Sequence, residues 1–239
     1  MYDERYDDGK IRGGKSAFIG YVRPFLSAGM QMADFGCGTC RKVMHYAPLV
    51  GSVDAVDRSE RMLHRAAQSL EQNGIENVRL FQGDNLNTPF PSHSYDVCTV
   101  SLSAWSAAEA HRLLKPQGRF FIEALLPDDK GEIKRAFGED ALGARGYLYG
   151  QTVEERMMYL EKSVRAFFSI EDISFFEQKT TLSEQGFLEL LSLTPTIRGF
   201  DEKADEGVLK ELIQNGEVTF TERRVFLRAL AKTQVGGSL

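Results

Sequence analysis

One stretch constrains the fold of this chain more than any other: Asp34-Phe35-Gly36-Cys37-Gly38-Thr39-Cys40. An apolar run, residues 32–36, leads into it, and residues 41–50 predict a short helix after it. Gly36 and Gly38 lack a Cβ atom, so the backbone can approach a ligand closely there. The following helix presents free N–H groups at its start. The stretch therefore predicts a strand, a glycine turn and a helix that together bind a ligand.

An acid stands where the next predicted strand ends, at Asp57. Ligands of open α/β sheets bind at the carboxyl ends of strands, and an acid at this place accepts hydrogen bonds from ribose hydroxyls. The cofactor is therefore expected to be a nucleoside. A dinucleotide fingerprint needs a small residue where Arg41 stands. The pattern D-x-G-x-G-x-G fits better, because it begins at Asp34 and ends at the small residue Cys40. A nicotinamide-dependent oxidoreductase is accordingly the less favoured interpretation.

Strands and helices alternate along the chain, which predicts crossover units and a mostly parallel sheet. The predicted strands are residues 32–36, 52–57, 77–84, 94–103, 118–126, 169–179 and 219–232. The predicted helices are residues 16–26, 41–50, 59–74, 107–118, 153–168 and 183–195. The predicted fold class is α/β, a Rossmann-like seven-stranded mostly parallel sheet with helices on both faces and a helical cap inserted in the C-terminal part.

Composition excludes several classes of protein. The chain has 239 residues, with 29 Lys and Arg against 34 Asp and Glu, a net charge of −5. It therefore lacks the strongly basic footprint of a dedicated nucleic-acid binder. Three cysteines exclude a disulfide scaffold. The N-terminus lacks the apolar core of a signal peptide, and no apolar run reaches the ~18–20 residues of a membrane helix. We therefore expect a cytoplasmic protein without a membrane partner.

Five motifs follow one another between residues 30 and 126: DFGCGTC, VDAVDRSERML, FQGD, DVCTVSLS and HRLLKPQGRFFIE. In this order they resemble the class I S-adenosylmethionine-dependent methyltransferases. The resemblance implies S-adenosyl-L-methionine as cofactor, with S-adenosyl-L-homocysteine as product. It places around the methionine portion Asp34 (facing the amino group directly or through water), Gly36, Cys37, Gly38, Ser101 and Leu102. It places around the ribose and adenine Asp57, Arg58, Met62, Asp84 and Asn85.

A second resemblance covers more of the chain. It depends on two segments: SAFIGYVRPFL near the start, and KTTLSEQGFLELLSLTPTIRGF before the last predicted strand. Both are similar to the ribosomal RNA guanine-N1 methyltransferases. That family usually begins with a four-cysteine zinc module, whereas no cysteine precedes Asp34 here. The resemblance implies an acceptor pocket roofed by helices. We therefore divide the chain into a helical lid segment (1–30), a cofactor-binding half (31–127), a half with acceptor-covering helices and the last strands (128–232), and a flexible tail (233–239).

Acceptor-facing residues follow the fourth predicted strand in this fold, so Ser103 and Trp105 are candidate catalytic residues. Glu123, near the end of the fifth predicted strand, is the third candidate. Cys37 and Cys40 form a C-x-x-C pair, but a zinc site needs about four ligands and no second pair exists. We predict no metal site. The Arg223–Arg224 pair is interpreted as a solvated strand face.

The sequence leaves three hypotheses for the function, in this order of preference: methyl transfer to a small molecule, methylation of an RNA base of the guanine-N1 type, and a non-catalytic cofactor-binding module. For the first, the main task of the protein is to align nucleophile, methyl carbon and sulfur. A weak nucleophile would also need a general base. SLSAW stands after the fourth strand in place of a D-P-P-Y-type clamp or a catalytic cysteine motif. This argues against methylation of exocyclic amines or of cytosine C5.

Overall fold

The computed structural model describes residues 14–148 and 150–233, so the start of the predicted lid segment and nearly all of the predicted tail lie outside the described residues. The chain forms two compact units. Within the described residues, the sheet unit contains Ala17–Ala124, Tyr159–Ser174 and Val225–Thr233. The insert unit contains the described parts of Leu125–Met158 and Phe175–Arg224, together with Gly14–Ser16.

The strands are β1 (Gln31–Phe35), β2 (Ser52–Asp57), β3 (Val78–Gln82), β4 (Tyr95–Ser101), β5 (Leu114–Leu125), β6 (Glu139–Asp140), β7 (Gly143–Ala144), β8 (Phe168–Ser183) and β9 (Glu217–Ala231). The helices are α1 (Gly14–Val22), α2 (Val43–Tyr46), α3 (Glu60–Gln72), α4 (Ala107–Leu113), α5 (Gly131–Phe137), α6 (Val153–Arg165), α7 (Glu184–Leu193) and α8 (Glu206–Leu212). Short 3₁₀ turns follow α1 and α2. None of these helices is long and apolar enough to cross a membrane.

Seven strands form one sheet in the order β3-β2-β1-β4-β5-β9-β8. The pairs β1–β2, β2–β3, β1–β4 and β4–β5 are parallel. The predicted α/β fold with a seven-stranded mostly parallel sheet is confirmed. The strand order reverses between β1 and β4, which makes the carboxyl ends of these two strands the topological switch point where such sheets bind ligands.

Two predicted helices are shorter than their sequence patterns indicate. The predicted helix 107–118 ends at Leu113, and Leu114 begins β5 with φ −75° and ψ 139°. Pro116 cannot donate to a helix, and Gln117 takes a positive φ of 67° at the irregular start of the strand. The predicted helix 41–50 is helical only over Val43–Tyr46, because Pro48 lies in the 3₁₀ turn that follows.

The insert unit has its own apolar core. Its buried members include Ile133, Phe137, Phe187, Leu190, Leu191, Ile197, Leu209, Val218 and Phe220. The same unit buries an ion cluster: Asp129 pairs with Lys130 and with Arg224, and all three residues are less than a tenth exposed. The interpretation of Arg223–Arg224 as a solvated pair is therefore wrong for Arg224, since its guanidinium compensates a buried carboxylate.

Candidate cofactor site

The glycine turn at the end of β1 folds against β2. The amides of Gly36 and Cys37 both donate to the carbonyl of Val56, at 2.8 and 3.0 Å. Gly36 has φ +70° and Gly38 has φ +54°, in the left-handed region that side chains disfavour. A Cβ atom at Gly36 would lie 2.2 Å from Ser103 Oγ, whereas a Cβ atom at Gly38 would meet nothing within 4 Å. Gly36 is thus required by both space and backbone geometry, and Gly38 by backbone geometry alone.

Cys40 occupies the last position of the pattern with φ +60° and is completely buried. The backbone therefore keeps the left-handed conformation that glycine favours, although the residue carries a side chain. Two effects raise the pKa of the Cys37 thiol above its ordinary value: mainly its hydrogen bond with the Cys40 thiol, and secondly its burial. Both cysteines are free thiols. Among the described residues, no group of three or more His, Cys, Asp and Glu side chains is placed to hold a metal ion.

Asp57 ends β2 and links the glycine turn to the start of α3 by hydrogen bonds. Its Oδ2 accepts from the amide of Gly38 at 2.8 Å, and its Oδ1 accepts from the amide of Ser59 at 2.9 Å. The Ser59 hydroxyl caps α3 by accepting from the amide of Met62 at 3.4 Å. A carboxylate has about four lone-pair sites, so Asp57 keeps acceptor capacity beyond these two bonds.

The remaining residues predicted to surround the adenine follow β2 and β3. Met62 is buried on the first turn of α3. Arg58 and Asp84 form an exposed ion pair at 3.8 Å. Asp84 also accepts from the amide of Leu86 at 3.0 Å, which folds the turn after β3. Asn85 is 8 % exposed and donates to Ser103 Oγ at 3.0 Å and to the carbonyl of Ala104 at 2.9 Å.

The chain after β4 closes over the glycine turn. Leu102 has φ +52°, a strained conformation for a side chain of this size, and it is 41 % exposed. Ser103 follows it and reaches Gly36, held in place by Asn85. Trp105 packs edge-on against the buried Phe120, with ring centroids 5.7 Å apart. Of Leu102, Ser103 and Trp105, Ser103 therefore lies nearest the glycine turn, whereas Trp105 packs against Phe120 and Leu102 is partly exposed.

Two acids are buried beside the turn. Thr99 Oγ1 donates to Asp34 Oδ1, and burial raises the pKa of Asp34 to about 6 although the threonine and Lys42 act in the opposite direction. Glu123 is 2 % exposed. Its Oε2 accepts from Ser101 Oγ at 2.5 Å and lies 3.3 Å from the ammonium of Lys42, which also donates to Ser101 Oγ. The sequence pattern did not single out Lys42, because its partners stand far along the chain.

A cavity of about 320 Å³ lies at the switch point. Its lining comprises Gly36, Asp57, Arg58, Asn85, Leu102, Ser103 and Ala104. The structure thus brings together six residues that the sequence singled out, five for the cofactor and Ser103 for catalysis. The lining does not include Asp34, Cys37, Gly38, Met62, Asp84, Ser101, Trp105 or Glu123, which lie on the adjoining turns, strands and helix.

Part of the chain is similar to known proteins. Residues 32–118 match the model of a family described as a methyltransferase domain. The uncharacterized methyltransferase YcgJ of Bacillus subtilis is 30 % identical over 107 residues, or 41 % of this chain and 42 % of YcgJ. The crystal structure of YcgJ superposes with a TM-score of 0.67 at 17 % identity over 91 % of this chain and 99 % of that one, which shows a shared fold.

Two further relatives carry names that state their reactions. The demethylmenaquinone methyltransferase of Geobacillus stearothermophilus is 32 % identical over 103 residues, or 39 % of this chain and 44 % of the relative. The nocamycin O-methyltransferase of Saccharothrix syringae is 32 % identical over 109 residues, or 41 % of this chain and 39 % of the relative. The matched region spans less than half the length of each of these curated relatives.

Proposed function

We propose that this chain, whose residues 32–118 match the model of a methyltransferase-domain family, is a class I S-adenosylmethionine-dependent methyltransferase that transfers a methyl group from that cofactor to a small-molecule acceptor. One observation carries the proposal: the cavity at the switch point is lined both by Gly36 of the glycine turn and by Asp57. The cradle at Gly36 leaves no room for a side chain. The residues present therefore fit a nucleoside cofactor with an extended methionine portion.

Each part of the cofactor has residues suited to hold it. Asp57 offers its remaining acceptor sites to the ribose hydroxyls, and Arg58 with Met62 flanks the adenine, near Asp84 and Asn85. The turn of Gly36, Cys37 and Gly38 supports the methionine portion, with Asp34 toward its amino group and Ser101 with Leu102 along its side. S-adenosylmethionine supplies a methyl group that its positively charged sulfur activates for attack.

The protein's own task is to align the acceptor with the cofactor and to take up a proton where the nucleophile is weak. Of the three candidate residues, Ser103 lines the cavity. Glu123 is buried and already bound to Ser101 and Lys42, and Trp105 packs on Phe120. We therefore assign Ser103 the contact with the acceptor and leave Trp105 and Glu123 supporting roles.

A small-molecule acceptor is favoured over RNA for two reasons. The chain carries a net charge of −5, and two of its arginines are each paired with an acid: Arg198 with Asp140 at 2.7 Å and Arg223 with Glu177 at 2.9 Å. The two relatives whose names state a reaction, a demethylmenaquinone methyltransferase and a nocamycin O-methyltransferase, are named after small molecules. RNA would be detected by binding that falls steeply with salt, since each neutralised phosphate adds to the slope.

Calorimetry with S-adenosylhomocysteine tests the cofactor assignment. We expect binding by the wild type and at least a tenfold weaker affinity for Asp57→Ala, because hydrogen bonds to a charged group contribute ~1.5–3 kcal/mol. Glu71→Ala removes a similar charge from the exposed face of α3 and serves as control. Absence of binding by the wild type at high micromolar ligand would overturn the proposal. Equal losses in both variants would overturn the role of Asp57.

A single-turnover assay with methyl-labelled cofactor and a metabolite extract tests catalysis separately. Transfer of label to an extractable small molecule is the expected result. Cofactor binding without any transfer would favour a non-catalytic binding module, and transfer to added RNA alone would favour an RNA base as acceptor.

A further inference from the structure

The seven-stranded sheet ends at β8, which has β9 on one side and no described strand on the other. β8 has 16 residues, whereas strands of globular proteins usually have about 5–6. The opposite edge of the sheet is β3, which has 5 residues. An edge strand presents a row of N–H and C=O groups that can pair with another chain. β8 is therefore the edge of this sheet with the most backbone open to pairing.

The second half of β8, residues 175–183, belongs to the insert unit. No backbone group of residues 177–183 is hydrogen-bonded to a described residue outside the strand ladders. Natural edge strands are often protected by a proline or by a covering helix or loop, but residues 175–183 contain no proline. The Phe175 side chain is 62 % exposed. This half of β8 thus combines an accessible edge with an exposed aromatic ring.

Alternate residues of a strand point to the same face of its sheet, and one face of this half of β8 is exposed at Phe175, Glu177, Lys179 and Thr181. Glu177 pairs with Arg223 on β9 at 2.9 Å, and its side chain remains 63 % exposed. No ion pair among the described residues includes Lys179. The exposed face therefore carries an acid and a base two positions apart, between an aromatic ring and a threonine.

This order of side chains is self-complementary when two copies of the strand run antiparallel. With a two-fold axis at Gln178, Glu177 of each copy lies directly opposite Lys179 of the other. Phe175 then lies opposite Thr181. Opposite charges, and aromatic rings with β-branched residues, stabilise antiparallel strands at such positions. A lysine on an edge hinders pairing with unrelated strands, so this charge pattern favours a second copy of the chain.

We propose that the outer edge of β8 is an interface between two copies of this chain, which pair as antiparallel strands with Gln178 at the two-fold axis. Both copies contribute the same residues, so the assembly closes at two subunits. The inference goes beyond the proposed function and does not depend on it. A strand pair is a small interface, so we expect a dimer that dissociates on dilution in the micromolar range.

Reversal of the two charges tests the interface. Sedimentation velocity from low to high micromolar concentration measures dimerisation of the wild type, Lys179→Glu, Glu177→Lys and Lys162→Glu. Lys162 is exposed on α6 and controls for reversal of a lysine charge outside β8. Lys179→Glu and Glu177→Lys should each weaken dimerisation about tenfold or more, because two attractive pairs become two repulsive ones. Lys162→Glu should dimerise like the wild type.

A mixture of the two charge-reversed proteins tests the register of the strands. When Lys179→Glu meets Glu177→Lys, both cross-strand positions regain opposite charges. We therefore expect a heterodimer with about the affinity of the wild type, although neither protein pairs well with itself. The double variant Glu177→Lys/Lys179→Glu should form a homodimer for the same reason.

A disulfide measures the register independently. Gln178 is exposed and faces its own copy across the proposed axis. Directly opposite residues of antiparallel strands have Cα atoms about 4.5–5.5 Å apart, a separation that a disulfide can span. Gln178→Cys should therefore form a covalent dimer under a mild oxidant, and a reductant should reverse it. Lys162→Cys and the wild type, with its three cysteines, should not form one.

Each result decides for or against the interface. A wild type that stays monomeric at high micromolar concentration, or that grows into open assemblies, overturns it. A dimer that Lys179→Glu leaves unweakened, or a Gln178→Cys protein that forms no covalent dimer, overturns the pairing about Gln178. Lys179→Glu alone decides should Glu177→Lys, which adjoins Arg223, fail to fold. Methyl transfer is tested separately by cofactor binding, so the two proposals can fail independently.

Discussion

Gly36→Ala tests how closely the two loops of the site approach each other. The left-handed φ of +70° at Gly36 costs a side chain ~1 kcal/mol. The new Cβ atom would also lie 2.2 Å from Ser103 Oγ and 2.5 Å from Ser103 Cβ, so the loop after β4 must move. That movement breaks the bonds from Asn85 to Ser103 and Ala104, each of which contributes ~1 kcal/mol. The expected loss of stability is about 3 kcal/mol.

Gly38→Ala is the matched control, since Gly38 shares the left-handed φ but has open space around it. It should cost only about 1 kcal/mol. Ser103→Gly removes the obstructing side chain, so the double variant Gly36→Ala/Ser103→Gly should show a favourable coupling of about 1–2 kcal/mol. Urea unfolding measures the free energy of unfolding of the ligand-free wild type and of the four variants. The unfolding is followed by the fluorescence of Trp105 and by circular dichroism. Equal costs for the two alanine substitutions, or no coupling to Ser103, would refute the reasoning.

Three further substitutions probe buried polar groups. Asp129→Asn should lower the free energy of unfolding by ~3–5 kcal/mol in a urea titration, because Lys130 then loses its ion-pair partner while buried and Arg224 keeps only the pair with Glu222. Burial raises the pKa of Asp129, but Lys130 and Arg224 lower it, and the net result is a lowered pKa. The stabilisation by the ionised Asp129 should therefore be present at pH 7 and disappear as the pH falls below 4. An Asp129→Asn variant as stable as the wild type at pH 7 would contradict this prediction. Tyr46→Phe should change stability by less than ~1 kcal/mol, whereas Tyr95→Phe, which loses a 2.6 Å bond to a buried carboxylate, should cost ~1.5–3 kcal/mol by thermal melting. Equal effects of the two tyrosine substitutions would count against this assignment of hydrogen bonds.

Residues that line the cavity could be predicted from the sequence where the signal is local. Gly36 ends a short apolar run and Asp57 ends an alternating one, and in a parallel sheet the carboxyl ends of strands meet on one edge. The helix within 107–118 was predicted to end at Lys115, Pro116 and Gly118, but it ends at Leu113 and β5 begins at Leu114. Pro116 and Gly118 indicate where a helix stops and do not show that the next strand has already begun. Arg224 was misread because its partner Asp129 lies far along the chain. An alternating strand pattern does not show which charged residue has a buried counter-charge.

The succession of strands and helices along the chain, the glycine turn and the acid at the end of β2 were determined by the sequence itself, since each depends on residues that are neighbours along the chain. The environment of those residues was decided only by the tertiary structure. Ser103 lies against Gly36, and Lys42 lies between Ser101 and Glu123. These contacts join β1, β4 and β5, whose side chains become neighbours only when the parallel strands align. The charge of Asp34 depends on burial and on Lys42, because the cost of desolvating a carboxylate arises from the folded surroundings.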